Sequence, residues 1–161
     1  MTERLDDETG TRELVLTRLI PVTRSALYRC WTEPALLTRW FTPEPWKTVE
    51  ADLDVRAGGH SRVVMLSPEG ERFPSEGVYL EVVENEKLVF TDAFTSGWNP
   101  SKKAFMLGII TFADEAGCTR YTARVRHWSE EDRKTHEEMG FHEGWGRATD
   151  QLAALAATLR G

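Results

Sequence analysis

The chain has 161 residues, 40% apolar and 29% charged, with a formal net charge of -6. That length suits one domain with a real core, and the composition is neither disordered nor fibrous. The acidic balance argues against a general nucleic-acid binder and against docking on anionic membranes, because both need basic surface.

The first ten residues, "MTERLDDETG", are polar and acidic. They lack the basic and apolar regions of a signal peptide. No apolar run approaches the roughly 18 residues of a membrane span. Cys30 and Cys118 are far apart and in no CxxC arrangement, which suits two reduced thiols in a cytoplasmic protein. Residues 1–11 read as a loosely ordered tail, and 12–161 as a single domain.

Arg12 to Ile20, "RELVLTRLI", predicts a strand that stops at Pro21. "TRSALYRCWT" places Leu27 and Trp31 at i, i+4 behind a possible Thr23 N-cap, and "EPALLTRWF" starts again at Pro34. Two short helices with a tight joint follow from this. "WKTVEADLDV" then alternates, with Val49, Ala51, Leu53 and Val55 on one face. "AGG" (57–59) is a turn, "HSRVVML" the next strand, and "SPEGE" another turn. "EGVYLEVVENEKLVFTDAF" reads as two strands joined at "ENEK". After the loop "TSGWNPSKK", "AFMLGIITFAD" and "CTRYTARVRHW" flank the turn "EAG".

The last of these strands alternates most plainly. Arg120, Thr122, Arg124 and Arg126 share one face, and Tyr121, Ala123, Val125 and His127 the other. One wet face and one dry face belong to an antiparallel sheet, and the arginines read as its solvated side. The order is strand, two helices, six strands, helix, which is an α+β class with a meander.

The closing segment, "EEMGFHEGWGRATDQLAALAATL" (Glu137 to Leu159), is expected to form one long helix. Phe141, Trp145, Ala148, Leu152, Leu155 and Leu159 make a single apolar stripe on it. Gly140 and Gly144 flank the stripe, and each glycine in a helix costs about 1 kcal/mol relative to alanine. Small residues at the start and leucines at the end predict a pocket at one end and solid core at the other.

The segments "CWTEPALLTRWF", "GVYLEVVENEKLVFTDAF", "GCTRYTARVRHWS" and "MGFHEGWGRATDQLAAL" resemble the SRPBCC superfamily, the START-like or birch-allergen-like helix-grip fold. Within it they are similar to the group named for the activator of the heat-shock protein 90 ATPase. The resemblance spans about Arg12 to Leu159. It implies a curved antiparallel sheet of about six to seven strands around the C-terminal helix, with an apolar cavity between them and two short helices closing one end. The chain departs from the group at Ala57, where a proline often precedes the double glycine, and at Ser61, where a bulky apolar residue is usual. The eukaryotic co-chaperones add a separate N-terminal domain, for which 161 residues leave no room, so their activity is not carried over.

Local motifs for chemistry are sparse. His136 and His142 are six apart and do not meet the i, i+4 spacing of an HExxH metal site. Neither GxSxG nor a phosphate-binding glycine loop occurs, and no metal or cofactor is expected. Period two puts Phe90, Asp92 and Phe94 on one face, so Asp92 and His127 form a candidate acid–base pair. Trp40, Phe41, Trp46 and the loop residue Trp98 suit a cavity mouth, and Phe94 is a further candidate on the face of Phe90 and Asp92. Ser61, Val63, Met65, Phe90, Phe105, Tyr121, Phe141 and Trp145 suit its walls.

The first expectation is therefore a module that binds a small, largely apolar ligand. A cyclase- or aromatase-like enzyme using Asp92 and His127, and a co-chaperone-like interaction domain, are the alternatives. Exposed sheet edges leave pairing into a homodimer open.

Overall fold

The computed structural model describes residues 11–159. Residues 1–10 of the expected tail lie outside that range. The carbonyl of Thr11 accepts a hydrogen bond from Arg133 Nε at 2.9 Å.

The elements in chain order are β1 (Glu13–Ile20), α1 (Arg24–Thr32), α2 (Pro34–Leu37), β2 (Lys47–Leu53), β3 (His60–Leu66), β4 (Arg72–Val83), β5 (Lys87–Thr91), β6 (Phe94–Thr95), β7 (Asn99–Pro100), β8 (Leu107–Glu115), β9 (Cys118–Arg126), α3 (Glu130–Glu138) and α4 (Phe141–Ala156). Seven strands form one antiparallel sheet in the order β1-β9-β8-β5-β4-β3-β2, and β6 and β7 form a separate two-stranded ribbon. Strands β2 to β5, β8 and β9 thus run as a meander with the ribbon inserted between β5 and β8, and β1 closes on β9 from Glu13↔Arg126 to Ile20↔Thr119. This is the α+β helix-grip arrangement, with a curved sheet wrapped on the C-terminal helix. Among the described residues no helix is long and apolar enough to cross a membrane.

Local chemistry sets the boundaries. Thr23 caps α1 by accepting from Ala26 N, and Pro34 starts α2 at a position that has no helical partner for an N–H. In β9 the alternation holds: Thr119, Tyr121, Ala123 and Val125 are buried. The arginines opposite are paired on the wet face, Arg120 with Glu115, and Arg124 and Arg126 with Glu13 at 2.8 and 2.9 Å. Strand β2 departs from strict alternation. A bulge between Thr48 and Glu50 turns Thr48 inward, where its hydroxyl meets that of Thr42 at 3.0 Å. Val49 is left 40% exposed. An extra residue shifts every later side chain by one face, and nothing in the residue types announces it.

The expected single closing helix is two helices. Ser129 caps α3, accepting from Asp132 N at 3.0 Å. The break falls at Gly140, which sits at φ 95° between α3 and α4. An L-residue with a side chain adopts that backbone only at a cost. Gly140 is therefore a joint, not a weak point inside a helix. Gly144 lies within α4, and a methyl group built on it would meet nothing within 4 Å.

The C-terminal half of α4 is solidly packed. Leu152, Leu155 and Ala156 join Ala26, Leu27, Cys30, Trp31, Leu37 and Trp40 in the main core. The N-terminal half meets a smaller cluster of Leu14, Val125 and Phe141, with Met106 and Trp145 against it. Burial in the main core holds the Cys30 thiol up at about 11, so it stays protonated and unreactive near neutral pH.

The two glycines should respond oppositely to alanine. Gly140→Ala is expected to lower unfolding stability by about 1–2 kcal/mol through the left-handed backbone, whereas Gly144→Ala raises it by about 0.5–1 kcal/mol as an unstrained helix substitution. Urea unfolding of both variants measures this, and effects of the same sign would contradict the assignment.

Candidate functional site

A cavity of about 430 Å³ lies between the sheet and the N-terminal half of α4. Its floor is the dry face of β3, β4, β5 and β9, carrying Ser61, Val63 and Met65, then Tyr79, Phe90 and Tyr121. Its roof is Gly140, Phe141, Gly144, Trp145 and Ala148. Trp31, Leu37, Trp40 and Phe41 close the end nearest the main core. The cavity therefore sits where the small residues of α4 leave volume unfilled.

The aromatic end is rigid. Trp31 packs edge-on to Trp40 and Phe41, with centroids 4.9 and 5.9 Å apart. The Trp31 indole donates to the Tyr121 hydroxyl at 3.2 Å, and the Trp40 indole to the Cys30 carbonyl at 2.9 Å. Phe90 holds its place because Gly108 on the neighbouring strand has no side chain. A Cβ there would stand 2.6 Å from the Phe90 ring. Gln151 ties α4 to the segment after α2. Its amide donates to the carbonyls of Trp40 and Thr42 at 3.0 and 2.8 Å, and its Oε1 accepts from Glu44 N at 3.0 Å.

Most of the residues expected at the site line the cavity: Trp40, Phe41, Ser61, Val63, Met65, Phe90, Asp92, Phe105, Tyr121, Phe141 and Trp145. Four do not. Trp46 packs on Phe73 with centroids 5.4 Å apart, outside the cavity lining. Phe94 and Trp98 stand at the β6–β7 ribbon, edge-on to one another at 5.8 Å. His127 is buried behind the wall and faces a separate shallow depression with Arg12, Leu107, Arg126 and Trp128.

The expected Asp92/His127 pair does not form. Asp92 Oδ1 accepts from the backbone N–H of Phe105 and of Met106, at 2.9 and 3.2 Å. The carboxylate anchors the chain returning from the ribbon, aided by Thr91, whose hydroxyl donates to the Met106 carbonyl at 3.0 Å. His127 engages a different partner: its Nε2 lies 2.9 Å from Nδ1 of His136. Its Nδ1 lies 2.8 Å from the carbonyl of Arg12, which can only accept.

His136 is the site residue that sequence reasoning passed over. It projects from α3, whose other side chains are mostly charged, and is 9% exposed. Phe105, Phe141 and Trp145 surround its ring, at centroid distances of 4.9, 5.2 and 6.4 Å. Burial, reinforced by His127, pulls its pKa down to about 4. The usable signal was the Ser129–Asp132 capping pattern, which opens a helix with His136 on its inner side. Deeper in the wall, burial raises both tyrosine phenols, Tyr79 to about 12 against an opposing hydrogen bond with Ser61. Among the described residues no group of three or more His, Cys, Asp or Glu side chains is arranged for a metal ion.

The sequence profile of the family described as activator of Hsp90 ATPase homolog 1-like protein matches residues 21–157. The chain belongs to that family, a member of the SRPBCC superfamily. No curated protein matches the sequence significantly. Among solved structures, a Nitrosomonas europaea protein is 39% identical, with a TM-score of 0.89 over 92% of this chain and 96% of its own. A Mycobacterium smegmatis protein is 24% identical, with a TM-score of 0.78 over 95% of each chain. An Aeromonas hydrophila protein described as AHSA1-like is 17% identical, with a TM-score of 0.69 over 90% and 92%. The last two likenesses concern the fold alone.

The lowered pKa of His136 has a stability consequence. The unfolded chain binds that proton near the ordinary value of 6.5, the folded chain only near 4. Stability is therefore full above about pH 6.5 and falls as the pH drops toward 4, by about 3 kcal/mol from this group. His136→Gln should flatten that part of the profile. Urea unfolding at pH 7.0 and 4.5 checks it, and an unchanged difference between the two pH values would contradict it.

Proposed function

We propose that this family member binds a small, largely apolar molecule in the cavity beneath the first two turns of α4. One observation carries the reading: the protein keeps an aromatic-walled pocket of about 430 Å³ between its sheet and α4. Ligand pockets commonly span about 300–1,000 Å³, with mostly apolar walls and a few placed polar groups. Apolar walls left uncovered by the protein's own side chains forgo burial that an apolar guest would restore. Here the void is sustained by Gly144 and Ala148 at positions where larger apolar residues would pack.

An enzymatic reading based on Asp92 and His127 loses its support, since the two groups serve different partners. A co-chaperone-like reading is not favoured by the sheet exterior around β9, where arginines are paired with carboxylates.

Two measurements test the proposal. Native mass spectrometry of freshly purified protein should detect a retained small molecule, or the protein should take up the neutral probe N-phenyl-1-naphthylamine with enhanced fluorescence. Gly144→Trp projects an indole into the space. It should weaken probe binding by about ten-fold or more while the protein stays folded. Undiminished binding by that variant would place the probe elsewhere and contradict the proposal.

A further inference from the structure

The polar chemistry of the cavity is one-sided. Among the described residues no lysine or arginine lines it. Its ionisable side chains are Asp92, the tyrosines 79 and 121, and His136, since Glu76 turns outward to pair with Arg62 at 3.3 Å. An anion placed inside would therefore be stripped of water without gaining a cationic partner, and would stand near the Asp92 carboxylate.

His136 supplies the complementary feature. The Arg12 carbonyl can only accept, so Nδ1 of His127 carries the proton in that contact. In the neutral pair, Nε2 of His127 is then an acceptor, and Nδ1 of His136 must be the donor across the 2.9 Å contact. That leaves Nε2 of His136 bare. It has no hydrogen-bond partner among the described residues, although the residue is 9% exposed and lines the cavity. The two nitrogens of an imidazole point in nearly opposite directions, so with Nδ1 held behind the wall, Nε2 faces the space. The low pKa of His136 keeps this nitrogen an acceptor at neutral pH.

We infer that the cavity selects a neutral ring molecule bearing a hydroxyl or N–H donor, which His136 Nε2 accepts, and rejects carboxylates such as fatty acids. This rests on the proposed ligand-binding role. The ring fits between Phe90 and Trp145, and the donor reaches toward α3. His127 and the Arg12 carbonyl act as positioning groups that fix the tautomer.

Matched probes separate the parts. By calorimetry at pH 7.5, 1-naphthol should bind about 3–10-fold tighter than naphthalene and 1-methoxynaphthalene, which lack the donor. 1-Naphthoate should bind at least about 100-fold weaker than 1-naphthol. In His136→Leu the ratio of naphthol to methoxynaphthalene affinity should fall to about one. The wild-type comparison stands even if that variant does not fold. Equal affinities of the three neutral probes would overturn the His136 assignment while leaving the cavity reading intact. So would tight naphthoate binding, or a naphthol preference that survives in His136→Leu. Failure of all four probes to bind would overturn both.

Discussion

A straight helix laid across a curved sheet can touch it closely along only part of its length. That constraint organises this molecule. Where α4 meets the sheet and the short helices, Leu152, Leu155 and Ala156 fill the gap with side chains. Toward its N-terminus the helix carries Ala148, Gly144 and then the Gly140 joint, and the separation is left as open space. Core packing is normally as dense as an organic crystal, so the stability of the protein depends on the leucine end. The glycine end is freed for something else.

The joint at Gly140 does more than open α4. Its left-handed backbone turns the chain so that α3 folds back beside the opening of the cavity. There Arg133 holds the Thr11 carbonyl at 2.9 Å, and His136 reaches the sheet through His127. One conformational feature thus accounts for both the open volume and the polar atom that faces it. Gln151 makes the corresponding tie at the other side of α4, satisfying two carbonyls and one N–H of the segment after α2.

Much of this was legible in the residues, and the remainder was hidden for physical reasons. The alternation of β9 and the apolar stripe of α4 are periodic over many residues, so the fold and most of the cavity wall could be placed from them. The bulge at Val49 is a backbone event with no composition of its own, and it inverted the expected face of Thr48. Trp46 and Trp98 have the chemistry of a cavity mouth, and Phe94 that of a wall, but all three stand on segments whose direction only the tertiary structure sets. The Asp92/His127 pair was reasonable from strand faces. Strand faces do not record that the Asp92 carboxylate is consumed by two backbone N–H groups. His136 was tested only as a metal ligand by its spacing to His142, and a buried imidazole with one free nitrogen leaves no spacing pattern.

The central claim is that the space beneath α4 admits a guest molecule. Three of the four methionines, Met65, Met106 and Met139, line that space from the sheet, from the segment before β8 and from the joint before α4. Carbon-13 methyl labelling of methionine, followed by NMR during titration with naphthalene, reads the cavity directly. Saturable shifts at the Met65 and Met106 methyl groups are the predicted result, because ring currents act over only a few ångströms, whereas Met139 is 73% exposed and serves as the control. Unmoved methyl signals at saturating naphthalene would show the space closed to guests and would contradict the account.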